Sequence, residues 1–229
     1  MAFGASRRGP ATLATGATRA SVAAECREAA LEFMAGAADG WDKVELARWL
    51  TGSYARATRH FRHGERTLMV ERAADDAASR GEPGGSRERG SESRERVSAD
   101  AVEDLLTSTR GRLLAALEKA ALSGGALAFA GEIVERGFVR RAFGEDGIDA
   151  WLAVDGPRMR LRDRVSALFV ADYLNDPAAY AALYVCHHCE AVVFDEGAGR
   201  AGMCSAHRRA SGIVVRAGAD DAARASGDD

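Results

Sequence analysis

Apolar residues recur at helical spacing in the first third of the chain. One stripe, within residues 21–36, consists of Val22, Cys26, Ala30 and Phe33. A second amphipathic segment begins near Asp42, and a third is expected at about residues 65–78. The pattern therefore predicts a helical N-terminal unit over residues 21–78. Residues 1–20 show no periodicity and are rich in Gly, Ser, Thr and Ala, so we expect them to be disordered.

Residues 79–97 differ in composition from the segments on either side. They consist of Arg, Glu, Ser and Gly with one Pro, and their first aliphatic residue is Val97. Such a stretch buries too little apolar surface to offset the entropy of ordering, so we expect a disordered linker. Five arginines stand against four glutamates, which means that the charges nearly cancel and the linker is not a basic patch.

A second ordered unit is predicted over residues 98–183. Apolar residues at helical spacing predict helices over residues 98–122, 126–136 and 160–174. Before the last of these, two apolar runs flank the turn sequence GEDG at residues 144–147, which is typical of a β-hairpin. Asp176 and Pro177 predict the start of a further short helix, because Asp is a favourable N-cap residue and Pro fits the first helical position.

The predicted fold class is α+β, mainly helical, with one β-hairpin and a small β-rich module at residues 184–216. Residues 217–229 are expected to form a disordered acidic tail.

Hydrophobic residues make up 47% of the chain, which is enough for a packed core. The net charge of −3 argues against a chain that binds nucleic acid through its overall charge. No apolar run approaches the roughly 20 residues needed to cross a bilayer, so no membrane association is expected.

Three of the four cysteines belong to one constellation near the end of the chain. Cys186-x2-Cys189 is followed, after fourteen intervening residues, by Cys204-x2-His207. We call these two short segments the first and the second knuckle. Each knuckle offers two ligands, and together they supply three thiolates and one imidazole, which is a suitable set of four for a tetrahedral Zn²⁺ site. The sequence therefore predicts one structural Zn²⁺ held by Cys186, Cys189, Cys204 and His207.

Other chemistry at the knuckles fits the sequence less well. A redox CxxC motif needs a helix N-terminus to lower its thiol pKa, whereas residues 192–194 are typical of a strand. An Fe–S cluster usually takes four thiolates, and only three are local. His187 and His188 stay open as replacements for His207. Cys26 is alone, so no disulfide framework is implied and we expect a reducing, cytoplasmic compartment.

The order of segments around the knuckles resembles a zinc ribbon. A strand-like segment precedes the first knuckle, another leaves it, and residues 213–215 follow the second knuckle as a possible strand. The resemblance covers about residues 184–216 and implies that two turns present four ligands to one metal. Glu190 and Arg208 occupy the positions where a glycine often follows the second ligand of such a knuckle. No family resemblance extends to the rest of the chain.

Arginines supply the next candidate site. One set alternates along the chain and consists of Arg158, Arg160, Arg162 and Arg164. These side chains would line one face of an extended segment. On a helix they would point in different directions, and there we expect them to form solvated ion pairs. A smaller cluster near the second knuckle, which could contact a nucleic-acid backbone, consists of Arg208, Arg209 and Arg216.

Two further pairs have helical spacing. His60 and His63 lack the HExxH pattern of a metalloprotease, and Glu132 and Glu135 share a helix with an apolar face. Both pairs are therefore expected at a helix surface rather than in a catalytic site.

The sequence contains no GxSxG motif, no Walker loop and no HExxH motif, and these absences argue against an enzyme. The expected function is a non-enzymatic, zinc-stabilised protein that binds another macromolecule, with a protein as the expected partner. The alternative is a nucleic-acid-binding transcriptional regulator that uses the zinc ribbon and its neighbouring arginines. The identity of the partner and the oligomeric state stay open.

Overall fold

The computed structural model describes residues 11–12, 16–60, 98–144, 147–156, 159–195 and 202–211. Several expectations fall outside these residues: the third N-terminal helix, the linker, the strand after the second knuckle and the acidic tail. The fold class is α+β and mainly helical, as the sequence predicted. Within the start that was expected to be disordered, Ala11–Thr12 forms a short strand.

Three helices follow among the described residues of the N-terminal part. They are α1 (Arg19–Ala38), α2 (Lys43–Trp49) and α3 (Ala55–Thr58), with a π-helical turn at Leu50–Tyr54 between α2 and α3. The N-cap residue of α1 is Thr18, whose side chain accepts a hydrogen bond from the backbone N–H of Ser21. Helix α2 begins at Asp42, whose carboxylate accepts from the first-turn N–H groups of Val44 and Glu45. Both starts therefore follow from a local capping residue.

Four helices lie between residue 98 and the knuckles. They are α4 (Ala99–Leu122), α5 (Ala130–Glu135), α6 (Leu161–Asn175) and α7 (Pro177–Tyr180). Helix α5 begins four residues later than the predicted start at residue 126. Leu127 is buried in the preceding turn, so its apolar character reflected packing rather than helical periodicity. The predicted start of α7 is confirmed, because the Asp176 carboxylate accepts from the N–H of Ala179 at 3.3 Å.

A three-stranded sheet contains the predicted hairpin. Its strands, in the order β1-β2-β3, are β1 (Ala11–Thr12), β2 (Val139–Phe143) and β3 (Asp149–Ala153). Strands β2 and β3 pair antiparallel, which confirms the hairpin, and β1 pairs parallel to β2. The outer edge of β3 is partly covered by Asn175, which exchanges two hydrogen bonds of 2.8 and 2.7 Å with the backbone of Trp151.

The knuckles belong to a small module, which we call the metal module and define as residues 183–195 and 202–211. It contains an antiparallel pair, β4 (Leu183–Val185) and β5 (Val192–Phe194), and helix α8 (Ser205–Ala210). The strand pair on either side of the first knuckle agrees with the sequence. The second knuckle continues directly into α8, whose N-cap residue is Cys204. Within the described residues, the module is therefore a strand pair plus a helix.

One hydrophobic core joins the N-terminal helices to the elements that follow residue 98. Helix α1 packs against α6 and β3, and β4 packs against α4. Phe33 of α1 and Phe169 of α6 are fully buried, as is the ring of Tyr180 in α7. The sequence left open whether the N-terminal helices pack on the later part of the chain. In the structure they do, because the apolar face of α1 is covered by α6 and β3.

Candidate metal centre

The four predicted ligands converge at one end of the molecule. Cys186 follows β4, Cys189 ends the turn of the first knuckle, and the other two side chains come from the first turn of α8. The Cys189 and Cys204 sulfurs are 3.8 Å apart, and Nδ1 of His207 lies 3.2 Å from the Cys204 sulfur and 3.8 Å from the Cys186 sulfur. All four ligand atoms lie within 4.8 Å of one another.

These separations fit a single metal ion. Zn²⁺ bonds of about 2.0–2.3 Å place the ligand atoms of a tetrahedral site roughly 3.5–3.8 Å apart. Helical geometry explains the second knuckle, because Cys204 at the N-cap and His207 three residues later project from the same side of one turn. Antiparallel pairing of β4 with β5 closes the first knuckle, where the N–H of Cys186 donates to the carbonyl of Ala191 at 3.0 Å. The four residues can therefore hold one metal ion.

The neighbouring histidines lie beside this group. The cluster that the described residues form includes His207 and neither His187 nor His188. The His188 ring stacks on His207 with centroids 5.2 Å apart, and the His187 ring packs edge-on against Tyr184 at 5.5 Å. The geometry therefore favours His207 as the imidazole ligand over the two alternatives that the sequence left open.

Backbone hydrogen bonds favour thiolates at two of the three sulfurs. The pKa of Cys204 lies below its ordinary value, chiefly because the N–H of His207 donates to its sulfur. Burial raises the pKa of Cys186, but N–H groups of Cys204, His188 and Cys189 outweigh it and the net pKa is lowered. Burial raises the pKa of Cys189, and the two neighbouring sulfurs add to the rise. Metal binding requires all three thiols to lose their protons, so affinity for a metal falls at low pH.

Glu190 takes the conformation that a knuckle glycine usually supplies. Its φ of 53° is the one left-handed value among the described non-glycine residues. That conformation lets its N–H return to the carbonyl of Cys186 at 2.8 Å and close the first knuckle. Its carboxylate accepts a hydrogen bond of 2.7 Å from Arg110 on α4. The missing glycine is thus replaced by a strained residue whose side chain ties the knuckle to the core.

Substitutions at Glu190 should separate the strain from the ion pair. Glycine relieves a left-handed cost of about 1 kcal/mol and loses an exposed ion pair worth up to about 1 kcal/mol. Alanine keeps the strain and also loses the pair. We therefore expect Glu190→Gly to melt at or slightly above the wild-type temperature and Glu190→Ala to melt below it. Thermal unfolding of both metal-loaded variants checks this, and equal melting temperatures would show that the φ of residue 190 carries no strain.

Two arginines connect the metal module to helix α1. Arg110 donates to the carbonyl of Met34 at 3.3 Å as well as to Glu190, so it joins the end of α1 to the first knuckle. Arg27 of α1 lies 4.6 Å from the ring centroid of Phe194, the last residue of β5. The Phe194 ring also packs edge-on against Tyr180 at 5.0 Å. The module is therefore attached to the core at two points, one at the first knuckle and one at the last residue of β5.

The second attachment point contains a buried ion pair. Asp172 is fully buried and accepts two hydrogen bonds of 3.0 Å from Arg27 and one of 2.9 Å from the hydroxyl of Tyr180. Arg27 also contacts Asp176 at 3.0 Å. Burial raises the pKa of the Asp172 carboxyl from 3.8 to about 6, although the hydrogen bonds from Arg27 and Tyr180 oppose the rise.

This raised pKa predicts a pH-dependent stability. Because the folded chain holds the Asp172 proton more tightly than the unfolded chain, this group's contribution is full below pH 3.8 and is lost as the pH rises to about 6. A rise of about two units corresponds to at most about 3 kcal/mol. The wild type should therefore lose unfolding free energy relative to Asp172→Asn as the pH rises from 4 to 6. Urea unfolding at several pH values measures it, and a difference that grows with pH would show that Arg27 dominates instead.

Three of the described arginine candidates form ion pairs with acidic neighbours. Arg162 contacts Asp163 at 3.6 Å, Arg164 pairs with Asp155, and Arg208 pairs with Asp195 at 2.7 Å. Arg158 and Arg216 lie outside the described residues. The described members of the alternating set sit at the start of α6 and do not line one face of an extended segment. The predicted ion pairs are therefore present at Arg162 and Arg164.

The remaining candidate pairs differ in their outcome. Glu132 is exposed and pairs with Arg136, as expected for a helix surface. The expectation was wrong for His60, which is 5% exposed and whose Nε2 lies 2.8 Å from the carboxylate of Glu25. Its partner is 35 residues away on α1, so local spacing carried no sign of the contact. His63 lies outside the described residues.

Sequence reasoning missed the residues that attach the module to the core. Arg110 and Glu190 are 80 residues apart, and Arg27 and Asp172 are 145 residues apart. No periodicity or motif marks such pairs. One local signal was available: position 190, where such a knuckle often has a glycine, carries a glutamate, and its side chain pairs with Arg110.

Comparisons of this chain with protein-family models, with curated proteins and with solved structures find no match. Among the helices of the described residues, none combines the length and the apolar character that a membrane span requires.

Proposed function

We propose that this chain is a non-enzymatic, zinc-stabilised interaction protein whose metal module presents a binding surface to another protein. The proposal is carried by the convergence of Cys186, Cys189, Cys204 and His207 within 4.8 Å. Four protein ligands complete a tetrahedral shell and leave no position for a substrate or a reactive water, which is the pattern of a structural rather than a catalytic site.

The donor set favours Zn²⁺ over other common metals. Three thiolates and one imidazole are soft or borderline ligands, whereas Mg²⁺ and Ca²⁺ prefer oxygen. Iron–sulfur clusters usually take four thiolates. A bound Zn²⁺ would fix the two knuckles relative to one another, because the strand pair β4–β5 and the six-residue helix α8 provide little core of their own.

The surface that the metal would order is the turn of the first knuckle. Residues 187–190 are all exposed, and they include two imidazoles and one carboxylate. A rigid, exposed turn of mixed polarity is suited to a protein partner, since little conformational entropy remains to be lost on binding.

Charge supports a protein partner over nucleic acid. The described residues of the module carry two acidic side chains, Glu190 and Asp195, and two basic ones, Arg208 and Arg209. Three thiolates bound to Zn²⁺ would add a net charge of about −1. A surface that binds a phosphate backbone needs several cations in excess, because counterion release supplies most of that affinity.

The first test is elemental analysis of the purified full-length chain, which we expect to contain one Zn²⁺ per chain. Metal-free protein whose three knuckle thiols all react with an alkylating reagent would overturn the proposal.

The partner is then sought by cross-linking in cell extract with loaded chain, with chelator-stripped chain and with His187→Ala, a variant expected to keep its metal. A partner should bind the loaded wild type, when purified, at least about tenfold more tightly than the stripped chain, a difference of about 1.4 kcal/mol.

Nucleic-acid binding is measured in parallel. Anisotropy of a labelled DNA duplex at about 50 and 200 mM salt separates the two functions, because phosphate contacts weaken steeply over that range. Metal-dependent duplex binding that falls by orders of magnitude with salt would favour the alternative, a nucleic-acid-binding regulator.

A further inference from the structure

The three knuckle cysteines differ sharply in their exposure to solvent. Cys189 is exposed, whereas Cys186 is fully buried and Cys204 is 8% exposed. Cys189 also lies at the end of an exposed turn, residues 187–189, rather than within a helix or a strand. A reagent that approaches the cluster from solvent therefore meets the Cys189 sulfur first.

A second sulfur is close enough to complete an oxidation. The Cys204 sulfur lies 3.8 Å from that of Cys189, and a disulfide requires about 2.05 Å, so the two must approach by roughly 1.8 Å. Residues 187–189 are exposed, so the turn that carries Cys189 can supply this movement once oxidation of the Cys189 sulfur has removed it as a metal ligand. Cys186, the residue that follows β4, is fully buried, and its N–H donates to the carbonyl of Ala191 at 3.0 Å.

We propose that Cys189 is an oxidation site through which hydrogen peroxide opens the metal centre. This inference rests on the proposed zinc site and adds a chemical control of it. In the first step the Cys189 sulfur attacks a peroxide oxygen, the O–O bond breaks, and a sulfenic acid forms while hydroxide leaves and takes up a proton. In the second step the Cys204 sulfur attacks the Cys189 sulfur, the S–O bond breaks, and a second water leaves.

The products account for all atoms and electrons. Two thiolates lose two electrons to form one disulfide, and one peroxide accepts them with two protons to become two waters. Two of the four ligands then no longer bind a metal, because a disulfide sulfur is a poor ligand compared with a thiolate. The remaining pair, Cys186 and His207, cannot complete a tetrahedral shell, so the ion is released.

The fourth cysteine serves as an internal control. Cys26 is fully buried on α1, and burial together with the nearby carboxylates of Asp172 and Glu25 raises its pKa well above the ordinary value. It lies in the core beside α6 rather than in the metal module. It should therefore stay reduced while the knuckle sulfurs are oxidised.

The experiment treats zinc-loaded full-length chain with hydrogen peroxide. A chromogenic chelator follows zinc release, and alkylation before and after reduction, read by mass spectrometry, maps each cysteine. We expect about one Zn²⁺ released per chain, a Cys189–Cys204 disulfide, and reduced Cys26. A thiol reductant with added Zn²⁺ should restore the loaded state. Release with a disulfide that lacks Cys189 would overturn the proposal.

A matched variant tests the entry point. Cys189→His keeps four ligands and removes the exposed sulfur, so release should be at least about tenfold slower than in wild type, because the oxidisable thiolate is gone. Equal rates would contradict the proposal, and the disulfide map of wild type decides the matter if the variant does not load. A chain that neither contains nor takes up Zn²⁺ overturns both proposals, whereas a loaded chain that resists peroxide overturns only this one.

Discussion

Cys189→Ser should lose its metal and melt at a clearly lower temperature than the wild-type chain. Cys189 is exposed in a turn, so the substitution sacrifices almost no packing and acts through the ligand alone. A ligand present at a thousand times its Kd stabilises the folded state by about 4 kcal/mol. For a chain of this size, with about 2–4 °C per kcal/mol, we expect a fall of roughly 10 °C. Helical circular dichroism of the full-length chain, with zinc content measured on the same sample, checks it.

The helical signal should respond because the metal module is attached to the core. The Phe194 ring packs against Arg27 and Tyr180, and Arg110 joins the first knuckle to the end of α1. His187→Gln is the matched control, since its side chain is exposed in the same turn and lies outside the ligand group. It should keep one zinc and the wild-type melting temperature. If Cys189→Ser loses zinc but melts with wild type, the module is an independent appendage.

Gly125→Ala should be among the most destabilising single substitutions in the chain. Gly125 has φ +89°, and a Cβ there would lie 2.0 Å from the carbonyl oxygen of Tyr180. The left-handed conformation costs an alanine about 1–2 kcal/mol, and forced displacement of packed backbone adds about 1–3 kcal/mol. Tyr180 cannot move freely, because it is fully buried and its hydroxyl bonds the carbonyl of Phe169 and the carboxylate of Asp172.

The neighbouring glycine isolates the steric part of this effect. Gly124 also has a left-handed φ, +69°, but a Cβ there would have no neighbour within 4 Å. Gly124→Ala should therefore cost only about 1–2 kcal/mol, the conformational part alone. Urea unfolding of the two variants gives the comparison. Equal losses of stability would mean that the approach of Gly125 to Tyr180 relaxes without cost.

Much of the candidate site was predictable because its signals are local. Two ligand pairs with short spacing mark the knuckles, and the turn sequence between apolar runs marks the β2–β3 hairpin. Asp42 and Asp176 mark helix starts through hydrogen bonds that span two or three residues. Where a local signal had two meanings, the prediction was less accurate. Leu127 was assigned to a helix because it is apolar, yet it is buried in the turn before α5.

The sequence by itself determined the class of the fold and the three cysteines and neighbouring histidines that could meet at a metal, since both depend on spacing within a few residues or within one strand–turn–helix segment. The structure brought His207, rather than His187 or His188, into that group. Only the tertiary structure decided how that centre is supported. Arg110, Glu190, Arg27 and Phe194 come together from helices and strands far apart in the chain. Packing of α1 against α6 and β3, and of α4 against β4, brings them into contact, because apolar surface is covered wherever complementary faces fit, whatever their separation in sequence. The polar contacts then follow from the geometry that this packing imposes.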